Sequence, residues 1–216
     1  MEINTQEIAA LVRKIMEGVA AGTEPTLRIP IGVSNRHIHL SQADVETLFG
    51  KGYELTKLKD LKQPGQYACR ECLTIVGPSM RPIEGVRVLG PVRSSTQVEI
   101  SLTDSYQLKV KPPVRESGDL KGSAPITIIG PCGIVRVEEG CIIANRHIHM
   151  GVEDAERFGV KDGDYVTVDA VGTKHTRWYD VQVRAGKQFT LEMHVDTDDA
   201  NGAGIGNGTM VTIVKE

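Results

Sequence analysis

The 216-residue chain has six histidines, and four of them fall in two copies of one pentapeptide, Asn-Arg-His-Ile-His, within "SNRHIHL" (residues 34–40) and "ANRHIHM" (residues 144–150). Side chains alternate faces along an extended strand, so His37 and His39 project together while Ile38 opposes them. His147, His149 and Ile148 repeat the arrangement. Two imidazoles with backbones roughly 6–7 Å apart can converge on one cation, and zinc accepts His nitrogens at about 2.0–2.1 Å. One isolated His-x-His reads more readily as a polar strand face. Solvent-facing histidines, however, have no physical reason to recur in register, so the duplication predicts metal binding at two sites.

Each site needs further ligands. Glu99, on the alternating stretch "TQVEISL", and His194, in "LEMHVDTDD", are the candidates; His194 is one of only two histidines outside the pentapeptides. The other, His175, sits in the polar stretch "GTKHTRWYD" and reads as surface. Three protein ligands apiece would leave each ion an open position, the mark of a catalytic site. Two zinc ions against one Glu leave about three uncompensated positive charges, which would draw an anionic substrate despite the chain's net charge of −3. Arg93 could add a bidentate fork suited to phosphate; a surface ion pair is the alternative. Arg36 and Arg146 would point away from the metal face and pair with downstream carboxylates, Asp44 or Glu46 for the first and Asp154 or Glu156 for the second.

Other signals carry less. "CREC" (69–72) has half the spacing of a zinc ribbon, but Cys132 and Cys141 do not complete it; it reads as a loop with incidental thiols, and all four cysteines as reduced. "NGAGIGNG" (201–208) lacks the strand-turn-helix setting of a dinucleotide loop and reads as a tight loop near His194. No nucleoside-triphosphate loop occurs.

The elements that must hold these residues are mostly strands. With 40% hydrophobic residues the chain can fill one large core or two small ones. From Leu27 onward, short β-like runs such as "LRIPIGV", "YQLKVK", "PITIIG" and "MVTIVK" alternate with Gly and Pro, which argues for small closed barrels rather than a parallel α/β sheet. The Asp-Gly turn in "VKDGDYVTV" predicts a hairpin. Behind each pentapeptide follow similar segments, "SQADVETLFG" and "GVEDAERFG", so each strand is expected to run into a short helix. Two related halves result, each a small barrel with a cap. Near the start, Ile8, Leu11, Val12, Ile15 and Val19 form one apolar stripe on a helix, and "AGTEPT" (21–26) breaks it; the helix either caps its own fold or docks in a partner's groove. Scattered charge gives no footprint for nucleic acid or an anionic membrane. The acidic "MEINTQE" and the lack of a long apolar run predict a cytoplasmic protein.

Taken together, "SNRHIHL", "GPVRSSTQVEIS", "ANRHIHM" and "EMHVDTDDAN" closely resemble the PduL-type phosphate propanoyltransferases, the phosphotransacylases of bacterial microcompartments. The resemblance runs from about Arg28 to the C-terminus. It implies a mainly β fold of two related six-stranded β-barrels with short capping helices, in which 27–36 join 145–216 as one barrel and 37–144 form the other, with a small insertion near 51–71. It implies a dinuclear zinc enzyme that exchanges the coenzyme A of an acyl-CoA for phosphate. Residue by residue, it assigns one zinc to His37, His39 and Glu99 and the other to His147, His149 and His194, and phosphate to Arg93. Coenzyme A contacts fall on Val33, Ser34 and Asn35, on Arg87, on Asn201, and on Met80 or its neighbour Arg81. Residues 1–20 resemble the peptides that direct such enzymes to shell or lumen proteins of a microcompartment, and the family suggests a homodimer. Direct attack by phosphate, with the coenzyme A sulfur leaving as thiolate, needs no Ser or Cys nucleophile. The rival classes are a zinc hydrolase of the amidohydrolase kind, disfavoured by the absent βα alternation, and a non-catalytic zinc-stabilised module.

Overall fold

The computed structural model describes residues 27–214; the expected helix over 1–20 and the linker over 21–26 lie outside the described residues. In chain order the elements are β1 (Ile29–Ser34), β2 (His37–His39), α1 (Gln42–Phe49), β3 (Lys57–Asp60), β4 (Tyr67–Val76), β5 (Pro82–Gly90), β6 (Gln97–Glu99), α2 (Leu102–Leu108), β7 (Val114–Arg115), β8 (Ala124–Ile129), β9 (Ile134–Ala144), β10 (His147–Met150), α3 (Val152–Phe158), β11 (Tyr165–Ala170), β12 (Thr176–Ala185), β13 (Glu192–Asp196), α4 (Thr197–Ala203) and β14 (Met210–Ile213).

The strands close into two six-stranded barrels. In one, the order around the ring is β1-β13-β10-β12-β11-β14. In the other, β4-β5-β2-β6-β9 is closed by β8, which pairs with both β4 and β9, and β3 and β7 extend its sheet. The pairings correspond: each His-x-His strand is parallel to one neighbour, β5 or β12, and antiparallel to the other, β6 or β13. Each barrel has its own core. Ile38, Val88, Val98, Ile126, Ile128 and Leu73 fill the first; Ile31, Ile148, Val168, Val181, Val183 and Met193 fill the second. Ile38 and Ile148 are completely buried, each such side chain contributing about 1.5–3 kcal/mol. Alternation then turns the flanking histidines outward from their own barrel.

Both pentapeptides lie where the chain changes barrel. β1 belongs to the second barrel and β2 to the first, with Asn35 and Arg36 between them; β9 belongs to the first and β10 to the second, with Asn145 and Arg146 between them. Each His-x-His strand runs into a short helix, α1 or α3. Ser41 caps α1, its hydroxyl accepting from the Asp44 amide at 3.2 Å. Ser101 and Asp104 form a reciprocal capping box on α2, which satisfies two otherwise orphaned amides.

The two crossover arginines choose other partners than those expected. Arg36 makes a bidentate pair with Asp104 of α2 (2.7 and 2.9 Å), and Arg146 pairs with Asp199 of α4 at 3.0 Å. Neither arginine belongs to a strand, so the alternation argument does not govern it. Three of the four expected carboxylates are engaged elsewhere: Asp44 by Ser41 and Thr96, Glu46 by the Gly52 amide and Asp154 by Arg157. Three other local readings are corrected. Cys69 to Cys72 lie in β4, not in a loop; the cysteines are free, with Cys69 and Cys141 buried. The Asp162-Gly163 turn joins α3 to β11 rather than two strands, because the segment before it is the short helix that follows the second pentapeptide. The first part of "NGAGIGNG" completes α4, which Gly204 ends in the left-handed conformation at φ 65°, where glycine carries no Cβ penalty.

Candidate functional site

In the register of the sheets, each candidate third ligand lies directly across from a His-x-His residue. Glu99 pairs with His37 between β6 and β2, and His194 pairs with His147 between β13 and β10. The outward faces of the two barrels meet over one cavity of about 260 Å³, lined by all five of these histidines, Glu99, Arg93 and Arg184.

The first cluster converges. His37, His39 and Glu99 offer ligand atoms that all lie within 4.8 Å of one another. His37 Nδ1 is 2.8 Å from the Asn35 carbonyl; a carbonyl only accepts, so Nδ1 carries the proton and Nε2, 3.4 Å from Glu99 Oε2, presents a lone pair. His39 Nδ1 is buried without a hydrogen-bond partner. Gln97, two residues before Glu99 on the same face, donates to Glu99 Oε1 at 2.6 Å and to Ser117 at 2.9 Å, and accepts from the Gly118 amide. Buried polar atoms are normally satisfied, so a His37 lone pair beside the Glu99 carboxylate, with a His39 ligand atom within 4.8 Å of both, fits a cation well.

The second cluster is built alike but packed differently. His147 Nδ1 faces the Asn145 carbonyl at 2.9 Å, which fixes the same tautomer as in His37. The rings of His147, His149 and His194 stand 4.7–5.1 Å apart, with His147 and His194 stacked nearly parallel at 2°. Their ligand atoms are therefore gathered but not converged like those of the first cluster. His149 Nδ1 and His194 Nε2 are buried without hydrogen-bond partners. His194 Nε2 lies 3.2 Å from Glu192 Oε2, out of line for a hydrogen bond. Glu192 itself fits because β1 has glycine at position 32: a Cβ there would come within 2.8 Å of its carboxyl carbon.

Burial sets the charge state. It holds His147 down at about 4 and His149 at about 2, neighbouring imidazoles adding to the effect; His39 is pushed well below its ordinary value for the same reasons. Burial also opposes protonation of His37, but Glu99 and the Asn35 carbonyl outweigh it and raise its pKa. Burial opposes ionisation of Glu99, and the surrounding histidines overcome it and lower its pKa. At neutral pH the cleft offers His39, His147 and His149 as neutral imidazoles, beside the Glu99 carboxylate and the guanidinium groups of Arg93 and Arg184.

Arg93 enters on a backbone tied to Leu40 (2.8 Å), and its guanidinium donates to Ser117 at 3.0 Å. Burial, then repulsion from Arg184, lowers its pKa. Val33, Ser34, Asn35 and Arg87 line a neighbouring groove of about 330 Å³ that shares Ser34, His37, Leu61, Leu89 and His194 with the cleft. Arg87 donates to the Cys69 and Arg70 carbonyls. Met80, 79% exposed, borders a separate apolar groove with Pro78, Pro82, Ile129 and Ile134, and Arg81, exposed, follows it. Asn201 is exposed in the last turn of α4; Asn207, beyond it, lines the groove and accepts from the Val33 amide at 2.7 Å.

Arg184, Phe189, Gln97, Ser117 and Glu192 went unnoticed in the sequence. Two of them had a signal: Gln97-x-Glu99 and Glu192-x-His194 place a polar neighbour at the same step before each third ligand. Arg184 is the strand partner of His149, which only the pairing of β10 with β12 reveals.

Two barrels related by a repeated motif, with imidazole clusters, a carboxylate and two arginines facing one cleft, define an enzyme with a site for an anionic substrate. A family model described as phosphate propanoyltransferase matches residues 30–206. Proteins named phosphate propanoyltransferase are similar along nearly the whole length: that of Lachnoclostridium phytofermentans is 53% identical, covering 99% of this chain and 100% of its own. That of Thermotoga maritima is 58% identical over 87% of this chain and 89% of its own, and that of Clostridioides difficile is 46% identical over 95% and 98%. The chain belongs to the phosphate propanoyltransferase family, a family of acyltransferases.

Proposed function

We propose that the protein interconverts a short-chain acyl-CoA, propanoyl-CoA foremost, and phosphate with acyl phosphate and coenzyme A at a two-zinc centre. The observation that carries this reading is the convergence of both His-x-His pairs, Glu99 and two arginines on one cavity beside a groove containing Val33, Ser34, Asn35 and Arg87. His37, His39 and Glu99 would hold one zinc, and His147, His149 and His194 the other. Zinc bound there would supply Lewis acidity to the thioester carbonyl and a soft partner for the departing sulfur.

The chain's own residues do the rest. Arg93, oriented by Ser117, and Arg184 hold phosphate by charge-assisted hydrogen bonds in a partly desolvated cleft. Ser34, Asn35 and Arg87, with Val33, Met80 and Asn201 as further contacts, receive coenzyme A so that its thioester reaches the cleft. A phosphate oxygen then forms a bond to the carbonyl carbon, the carbon–sulfur bond breaks, and coenzyme A leaves as thiolate. Holding both reactants in place supplies much of the rate by proximity. In the same reading, residues 1–20 dock to shell or lumen proteins of a bacterial microcompartment in the cytoplasm, and the chain pairs as a homodimer.

The test is propanoyl-CoA consumption with and without phosphate, before and after chelation, in the wild type and Arg93→Ala. Phosphate-dependent, chelator-sensitive turnover with a raised phosphate KM in Arg93→Ala is expected. Consumption independent of phosphate would make the enzyme a hydrolase and overturn the reading.

A further inference from the structure

Among the described residues the cleft lining is polar except at three side chains, Leu61, Leu89 and Phe189. Leu61 and Leu89 also line the groove through which coenzyme A would enter, whereas Phe189, like His149, Arg93 and Arg184, lines the cleft and not that groove. An acyl chain attached to a thioester at the clusters must lie in this cavity, and among the described residues only these side chains offer it apolar surface. We propose that Phe189 is the specificity-determining wall of the acyl subsite, which limits the length of acyl chain accepted. This inference rests on the acyl-CoA reading above.

Phe189 is held from three sides. Its ring stacks on His149 with centroids 4.3 Å apart and 13° between planes. The Arg184 guanidinium lies 5.8 Å from the ring centroid, within reach of a cation–π interaction. From the opposite barrel, Gln63, only 4% exposed, clasps the next residue: its amide donates to the Thr190 carbonyl at 2.9 Å and accepts from the Thr190 amide at 3.1 Å. A side-chain amide that matches both groups of one peptide acts like a rung of sheet between the loop after β3 and the loop before β13. The wall is therefore fixed across the cleft and does not retreat freely from a longer chain. Gln63 is a positioning residue in this arrangement; Phe189 makes the contact.

The experiment compares kcat/KM for propanoyl-, butanoyl- and hexanoyl-CoA, each with saturating phosphate, in zinc-loaded wild type, Phe189→Ala, Phe189→Leu and Gln63→Ala, with zinc content measured for each. Ratios between acyl-CoAs within one variant cancel any common loss from a disturbed His149. In Phe189→Ala the hexanoyl-to-propanoyl ratio should rise about tenfold or more, the scale of a methylene-sized change in an apolar pocket. Phe189→Leu should rise less, and Gln63→Ala should shift the ratio in the same direction with unchanged zinc content. Unchanged ratios in Phe189→Ala while the wild type turns over propanoyl-CoA with phosphate would overturn this inference alone. A wild type that fails to form acyl phosphate would overturn the underlying reading, and this inference with it.

Discussion

Replacing Glu99 by glutamine keeps the side chain's shape and removes one negative charge from the cleft. Among the described residues Glu99 is the only carboxylate lining that cavity, against five imidazoles and two guanidinium groups, and it supplies one of three ligand atoms lying within 4.8 Å of one another. Changes to residues that merely orient ligands weaken metal binding by about 10–100-fold, so loss of a ligand charge should weaken the first zinc by at least about 100-fold. In excess zinc, a 100-fold weaker affinity removes about 2.7 kcal/mol of metal-linked stabilisation. For a chain of this size each kcal/mol moves the melting temperature by about 2–4 °C. The zinc-induced rise in Tm should therefore shrink by about 5–10 °C in Glu99→Gln. Each variant is referred to its own chelator-stripped Tm, so effects on the metal-free fold cancel. Stoichiometry by metal analysis should fall from two zinc ions per chain to one. An unchanged zinc-induced rise together with unchanged stoichiometry would refute the assignment of Glu99, whatever happened to turnover.

The two crossover locks should differ in strength. Asp104 is 4% exposed and holds both Arg36 and the α2 cap, so Asp104→Ala should cost about 2–4 kcal/mol even after screening of the half-open arginine; Asp199, at 24% exposed, should cost less, and the reverse order in urea unfolding would contradict this account. Acid should destabilise the metal-free protein through His147. Its unfolded form takes a proton near 6.5 and its folded form only at about 4, so the unfolded state binds more protons between those values and stability falls as pH falls, by about 3 kcal/mol in all. His147→Gln should flatten the urea midpoint's dependence on pH between 6.5 and 4.5, and an identical slope in both proteins would exclude His147 as a source.

Strand alternation made much of the site legible. Period-2 reasoning put His37 and His39 on one face and Ile38 on the other, and the buried Ile38 and Ile148 follow it. Glu99 and His194 were found because each occupies an alternating strand of its own, and the sheet sets them opposite His37 and His147. Where alternation stops, inference stopped too. Arg36 and Arg146 sit outside the strands, so their partners depend on where α2 and α4 begin, which no local pattern gives. Gln63 lies far along the chain from Arg184 and Phe189, and their meeting with it and with His149 depends on which strands pair and how the barrels face each other. "CREC" failed for another reason: its Arg and Glu mask a strand whose alternate residues, Cys69 and Leu73, face the core.

β14 and β1 are antiparallel neighbours, with Val211 opposite Ile29, so the end of the second barrel's last strand lies beside the start of its first. A short turn joining residue 213 to residue 29, with new termini opened between Asn35 and Arg36, would keep every strand in place and yield two barrels each made from one unbroken stretch of chain. Such a circular permutant would be tethered by a single peptide where the native order uses two. The native order thus works as a double hinge pin: with both strands crossing beside the imidazoles, neither barrel can rotate about one link without straining the other. The spacing between the two histidine clusters is enforced by covalent bonds as well as by packing.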